Sequence, residues 1–298
     1  MSETKLFELE LALPDTDLSA REKSLLGFED RYQRIHAQMR LLFEQDQLKD
    51  WNKKQHGGKL ALVELVADQY PFAIFYGDVG TGKTATAECV ANRLVKDAKK
   101  DDCTLFKLSN RVRGSGRVGE MGTLLAQALE RVVAAAGKNK RAILLVDEGD
   151  SLAAARSQEH SHHEDKVAVN TLIQGIDDIR RQRGRVLVIL CTNRASALDP
   201  ALRRRAAVIE EFTRPSEEEL RQLFAMDLAA LELKPTEVSR LVALTHARDK
   251  RPAFTYSDIR TRLYPAALAQ AFPSGPLTLD HLLAVAEVME ASPSVENA

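Results

Sequence analysis

Cysteine is scarce: three residues in 298, Cys89, Cys103 and Cys191, scattered and odd in number. This excludes a disulfide framework and a cysteine-based metal motif, and is the usage of a reducing compartment. Long apolar runs are also missing. No stretch of 18 apolar residues occurs, so no membrane-spanning helix is predicted. Met1 to Leu13 alternates acidic and apolar residues and lacks a cationic start followed by a long apolar stretch, so no secretory signal is predicted. An excess of one charge is absent too. With 42 basic and 43 acidic residues the net charge is −1. No global field draws the chain onto nucleic acid or a membrane, although a local basic patch stays open. There is no internal repeat and no low-complexity block. The expectation is a soluble, cytoplasmic protein. Hydrophobic residues at 44% suffice for a packed core, and the length suits one large and one small domain of on the order of 100–200 residues each.

What is present is punctuated by one loop. Residues Gly77-Asp78-Val79-Gly80-Thr81-Gly82-Lys83-Thr84 follow the apolar run Phe72–Tyr76 and precede a helix-compatible segment. This is the G-x-x-x-x-G-K-[ST] pattern between a strand and a helix. Its glycines let the backbone wrap a phosphate chain with amide N–H groups pointing inward. Lys83 reaches the β- and γ-phosphates, and the Thr84 hydroxyl ligates Mg²⁺. The reading is an ATP site.

Around this loop, short apolar runs alternate with helical patterns. Strands are predicted at Phe72–Tyr76, Thr104–Ser109, Ala142–Val146 and Val186–Cys191, with a weaker fifth at Val208–Phe212. Unbroken apolar runs are expected of strands buried on both faces of a parallel sheet. Helices are predicted at Thr84–Lys96, Gly122–Ala136 and Lys166–Arg181, and before the first strand from Phe28 to Phe43 and at Leu60–Ala67, with a polar loop at Trp51–Lys59. The order implies an α/β layered domain with a five-stranded parallel sheet over residues 25–214. Residues 1–24 read as an arm or linker. After Arg214-Pro215, Ser216-Glu217-Glu218-Glu219 is a capping box, and helical stretches follow near 236–246, 256–270 and 278–291. Residues 215–291 are therefore predicted to be a small all-helical domain, and 292–298 a frayed tail.

The second strand-end motif is Ile143-Leu144-Leu145-Val146-Asp147-Glu148. A buried strand that ends in two acids brings Asp147 to the phosphate loop, where it holds the Mg²⁺ shell, and lets Glu148 polarise the attacking water. Taken alone, it also reads as a strand ending in a polar turn. Asn193, after the next strand, is placed to position that water, or is a simple Asn turn. Among Arg203, Arg204 and Arg205, one is expected to enter a neighbouring subunit's site, with Arg204 or Arg205 favoured over solvated charge. Arg260, on the helix that starts at Tyr256, is expected to reach the γ-phosphate or else to sit on the surface.

Phosphate loop, Asp-Glu strand end, Asn, arginine cluster and helical-domain Arg, in that order, resemble an AAA+ ATPase over roughly residues 25–290. More narrowly, Asp147-Glu148-Gly149-Asp150-Ser151-Leu152-Ala153-Ala154-Ala155-Arg156, Phe28-Glu29-Asp30 and Tyr256–Pro265 are similar to the pachytene checkpoint family, the AAA+ remodellers of HORMA-domain proteins. The resemblance implies an AAA+ αβα sandwich with a helical lid, a homohexamer, and ATP-driven opening of a HORMA protein by local unfolding in a central pore. Bacterial relatives accompany a HORMA protein and a cyclic-oligonucleotide synthase in anti-phage defence, where disassembly switches the synthase off. Two departures stand out. About 70 residues precede the first predicted strand, too few for the globular adaptor-binding domain of eukaryotic members. The pore-loop position carries Arg117-Val118-Gly119, in place of an aromatic or bulky pair, and a weaker grip is expected.

The loop from Ser157 to Asp165, with His160, His162 and His163, reads as a second pore loop or an inert solvated loop. Fixed elements that a metal site needs are lacking. The competing function is a nucleic-acid-acting AAA+ protein, a clamp or helicase loader or a transposition regulator. Lys107, Arg111, Arg113 and Arg117 favour it, whereas the near-zero net charge and the lack of an appended DNA-binding motif oppose it.

Overall fold

Burial on both faces dictates the centre of the molecule. In the computed structural model, which describes residues 5–113, 120–149, 163–194, 196, 198–248 and 251–294, the strands β2 (Phe72–Gly77), β4 (Arg141–Val146) and β5 (Val186–Thr192) are almost wholly inaccessible. With β1 (Phe7–Leu13), β3 (Cys103–Leu108) and β6 (Val208–Phe212) they form one six-stranded sheet in the order β1-β3-β4-β5-β2-β6. β3, β4, β5 and β2 run parallel, paired Phe106↔Leu144, Leu144↔Val188 and Phe72↔Val188.

The helices of this part are α1 (Thr16–Glu22), α2 (Phe28–Phe43), α3 (Gln45–His56), α4 (Leu62–Ala67), α5 (Lys83–Asp97), α6 (Glu120–Ala136), α7 (His163–Arg180) and α8 (Pro200–Arg205). Alternation sorts the strand residues. Phe72, Ile74, Leu144, Val146, Val188 and Leu190 form one core cluster with Leu125, Leu129 and Val132 of α6 and Leu172 and Ile176 of α7. Their neighbours Phe75, Leu145 and Ile189 are buried on the opposite face, where α2 meets β5. This is the two-sided cover that a parallel sheet requires.

Two expectations fail here. The sheet has six strands with one antiparallel pair, because Phe7–Leu13 is not part of an arm but an edge strand on β3, with Leu11 opposite Leu105. Its alternation of apolar and acidic residues is a period of two, with Phe7 and Leu13 buried. α1 follows directly, capped by Asp15, whose side chain accepts from the Leu18 N–H at 2.8 Å. Trp51–His56 is likewise helical and not loop. Its inward positions are polar: Asn52 is 7% exposed and its amide bonds both the N–H and the C=O of Leu60, while left-handed Gly57 ends the helix.

By contact density the chain divides into two units: residues 1–76 with 84–211, and residues 77–83 with 212–298. The second unit holds α9 (Glu217–Asp227), α10 (Pro235–Thr245), α11 (Tyr264–Ala271) and α12 (Leu279–Val288). The predicted capping box is present: the Ser216 hydroxyl accepts from the Glu219 N–H, and the Glu219 carboxylate accepts from the Ser216 N–H. A π-helical turn, Asp258–Leu263, leads into α11; such turns mark functional positions disproportionately. Residues 292–293 are not frayed, for both make hydrogen bonds described below; 295–298 lie outside the described residues.

Candidate active site

The phosphate loop is a tight structure held by its own groups. Gly77 has φ +140° and a Cβ there would lie 1.9 Å from the Phe212 carbonyl oxygen; Gly80 (φ +77°) and Gly82 (φ +91°) are left-handed as well. Only glycine follows this path without strain. The Thr81 hydroxyl donates to the Asp78 carbonyl at 2.7 Å. The Lys83 ammonium, 7% exposed, donates to the carbonyls of Gly77 and Asp78 at 2.9 and 2.7 Å. These contacts all lie within the second unit. The Asp78 carboxylate takes the Arg214 guanidinium at 2.6 Å, and Val79 is exposed.

The predicted acidic residues and Thr84 lie in the first unit. Thr84 Oγ1 donates toward both oxygens of Asp147, each at 2.9 Å. Asp147 follows β4 and also accepts from the Glu148 N–H at 2.9 Å. Glu148 sits at φ +48° with its side chain exposed. A left-handed non-glycine residue is uncommon, and such positions concentrate at functional sites. The Gly149 N–H donates to the Cys191 carbonyl at 2.8 Å. That bond ties the ends of neighbouring parallel strands together, so Asp147-Glu148 and Thr192-Asn193 emerge side by side. Asn193 is half-exposed.

The basic residues lie elsewhere. Arg205 makes a bidentate pair with Asp177 of α7 at 2.7 and 3.0 Å and packs over the Tyr70 ring at 5.2 Å. Tyr70 precedes β2, so Arg205 is at the strands' amino ends, whereas Thr84 and Asp147 follow their carboxyl ends. Arg203 and Arg204 are exposed. In the helical unit, Arg260 is bidentate on Asp227 at 2.7 and 2.8 Å. The start of its helix touches the phosphate loop through the Ser257 N–H and the Gly80 carbonyl, 3.1 Å apart. Arg117, Val118, Gly119 and the His160 and His162 positions lie outside the described residues.

One group was misread. Lys107 is not a member of a basic run. Its ammonium is 2.8 Å from Glu8, 3.3 Å from Glu88 and 3.8 Å from Asp147. Burial works to lower its pKa, but these carboxylates outweigh it and hold the ammonium above its ordinary range. Lys107 thus belongs to the surroundings of Asp147. The available signal was its place on β3, where it breaks an apolar pattern in line with Glu88 one turn after Thr84. None of the three cysteines forms a disulfide and all are buried, and burial pushes the Cys89 and Cys103 thiols up to about 12.

The residues fit a nucleotide with a divalent metal. The loop offers backbone donors and one buried cation, and Thr84 with Asp147 offers the hard oxygen ligands that such a cation takes. A strand-loop-helix phosphate site, an acidic strand end and a helical second unit define the AAA class. The model of the ATPase family associated with various cellular activities (AAA) matches residues 73–214. Over 98% of both chains the sequence is 59% identical to CD-NTase-associated protein 6 of Escherichia coli (strain KTE188). A chain of the solved E. coli MS115-1 HORMA:CdnC:Trip13 complex is similar over 97% of both chains, at 38% identity and a TM-score of 0.88. The structure of Rhizobiales Trip13 follows, at 32% identity over 97% of this chain and 100% of that one, with a TM-score of 0.72. The chain belongs to the CD-NTase-associated protein 6 family of AAA ATPases.

Proposed function

We propose that this ATPase uses ATP and Mg²⁺ to open a HORMA-domain protein and disassemble its complex with a cyclic-oligonucleotide synthase, as a homohexamer acting in anti-phage defence. The observation that carries this is the end-to-end likeness to a chain of the HORMA:CdnC:Trip13 complex. In this reading the amide groups of Gly77–Thr84 and the Lys83 ammonium bind the phosphates. Thr84 and Asp147 hold the cation. Glu148 accepts the proton of the attacking water, and Asn193 orients that water. Bound ATP supplies a transferable γ-phosphoryl group, and Mg²⁺ neutralises the charge that develops on it. Arg204 or Arg205 serves the neighbouring subunit, and Arg260 reads the γ-phosphate. Arg117, Val118 and Gly119 grip the substrate chain. The nucleic-acid reading is weakened by the pairing of Lys107 with Glu8 and Glu88.

The test is direct. Glu148→Gln should bind ATP, hold a ring and hydrolyse at least about a hundredfold more slowly. The parent ATPase should be stimulated by a HORMA-domain protein and unaffected by single-stranded DNA. Stimulation by DNA alone would move the assignment to the nucleic-acid class.

A further inference from the structure

Two short paths connect residues 292–293, just after α12, to the phosphate loop within the helical unit. The first runs through Arg214. Its Nε donates to Asp78 at 2.6 Å, its Nη1 to the Ala253 carbonyl at 2.6 Å and its Nη2 to the Pro293 carbonyl at 3.0 Å. The guanidinium is fixed by three acceptors from three parts of the chain, and its side chain is 11% exposed. The second runs through Asp258, which is 1% exposed. The Ser292 hydroxyl and N–H donate to its carboxylate at 2.6 and 3.2 Å. The same carboxylate accepts the Thr255 N–H at 2.9 Å, and the Thr255 hydroxyl accepts the Asp258 N–H at 3.0 Å. Thr255 and Ser257 in turn close over the loop. A Cβ on Gly80 would lie 2.7 Å from the Thr255 hydroxyl and 2.8 Å from the Ser257 Cβ.

We propose that Ser292 and Pro293 form a strap that positions the phosphate loop, so that nucleotide affinity depends on a segment that makes no phosphate contact. Glycine loses more conformational freedom on ordering than any other residue, and this loop has three. A loop already ordered does not meet that cost when the ligand arrives. Arg214 and Asp258 supply the order from the protein side, and each depends on residues 292–293 for one or two of its partners. Arg214 and Asp258 are positioning residues in this scheme.

The inference rests on the assignment of the loop as the nucleotide site, and the experiment separates the two. The affinity of a fluorescent ADP analogue is measured for the parent, the chain shortened to residues 1–291, Arg214→Met, the two changes combined, and Lys83→Ala. Shortening the chain should weaken binding about tenfold, as should Arg214→Met, since each removes charge-assisted bonds of partly buried groups. The combination should weaken binding by less than the product of the two, because both break the Arg214 path while only the shortening breaks the Asp258 path. Ser292→Ala, which leaves the chain length intact, should weaken binding about threefold and melt cooperatively. A strap with a purely structural role would lower the melting temperature and leave affinity unchanged. That result, or losses that multiply fully, overturns the proposal. If Lys83→Ala binds as the parent does, the site assignment falls instead.

Discussion

Alanine replacement of Arg204 and of Arg205 should give opposite results, and the structure sets the sizes. Arg205 holds Asp177 with two parallel bonds, donates to the Ala201 carbonyl at 3.1 Å and covers the Tyr70 ring. The paired side chains are 21% and 30% exposed, so solvent screens the pair only in part. About 1 kcal/mol for such a pair and about as much for the ring contact give roughly 2 kcal/mol. For a chain of this length that is a fall in melting temperature of about 5 °C. Arg204 is exposed, and its truncation should change stability by less than about 0.5 kcal/mol. Yet an arginine that stabilises the transferring phosphoryl group in a neighbour's site is worth on the order of a thousandfold in kcat. Arg204→Ala should therefore melt like the parent and hydrolyse ATP about a thousandfold more slowly. Arg205→Ala should melt early and keep most of its kcat once measured below that transition. Mixing Arg204→Ala with Lys83→Ala subunits should restore turnover that neither has alone, since some interfaces then unite an intact loop with an intact arginine. If Arg205→Ala loses the thousandfold factor with an unchanged melt while Arg204→Ala turns over normally, the assignment is reversed and the argument from exposure is refuted.

Two further outcomes follow from the helical unit. Gly77→Ala places a Cβ 1.9 Å from the Phe212 carbonyl at φ +140°, so nucleotide binding should fall at least about a hundredfold or the chain should fail to accumulate as soluble protein; parent-like binding in a titration would show that β2 and β6 separate freely there. Burial works to raise the Asp258 pKa, but hydrogen bonds from Ser292, Thr255 and Arg262 outweigh it and hold the carboxyl below its ordinary 3.8. A depressed carboxyl contributes stability that is complete above the unfolded value and is lost as pH falls through the folded one. Melting temperature should therefore drop more steeply below about pH 4 in the parent than in Asp258→Asn, and parallel acid curves would refute this.

The central strands were legible because burial on both faces leaves a run with no polar interruption, as in Ala142–Val146 and Val186–Cys191. The capping box at Ser216–Glu219 was legible because both of its bonds are local. β1 was missed because half its residues face solvent at a sheet edge. Glu8 and Glu10 then dominate the composition, although the period of two is present. The end of α3 was missed because what it buries is an amide, Asn52, bonded to Leu60, and no apolar stripe marks it. The places of the loop between β2 and α5, and of Asp147 and Glu148 after β4, were readable from spacing, since strand order sets them. The partners of the arginines were not readable. Asp78 and Arg214 are 136 residues apart, and only the folded chain joins them.

Those partners bear on how an arginine can serve a changing ligand. Arg260 and Asp227 form a bidentate pair with side chains 28% and 17% exposed. A pair of this kind contributes little net stability, because the attraction offsets desolvation and side-chain ordering. It does hold the guanidinium in one rotamer. A phosphate offers the same fork geometry with more charge, and that gain offsets the cost of leaving one partly exposed acid, Asp227, unpaired. An Arg260 that reads the γ-phosphate therefore needs an Asp227 to return to, and the low net value of the pair is what permits the exchange. Arg214 is the contrast. It spans Asp78 and two main-chain carbonyls. Leaving all three for one phosphate would strand two carbonyls and an acid, each at a cost of about 1–3 kcal/mol. The kind of acceptor thus separates an arginine proposed to move with the nucleotide, held by a carboxylate fork, from one proposed to fix the loop, held also by main-chain carbonyls, and Asp227→Ala should weaken the response of Arg260 without loosening Arg214.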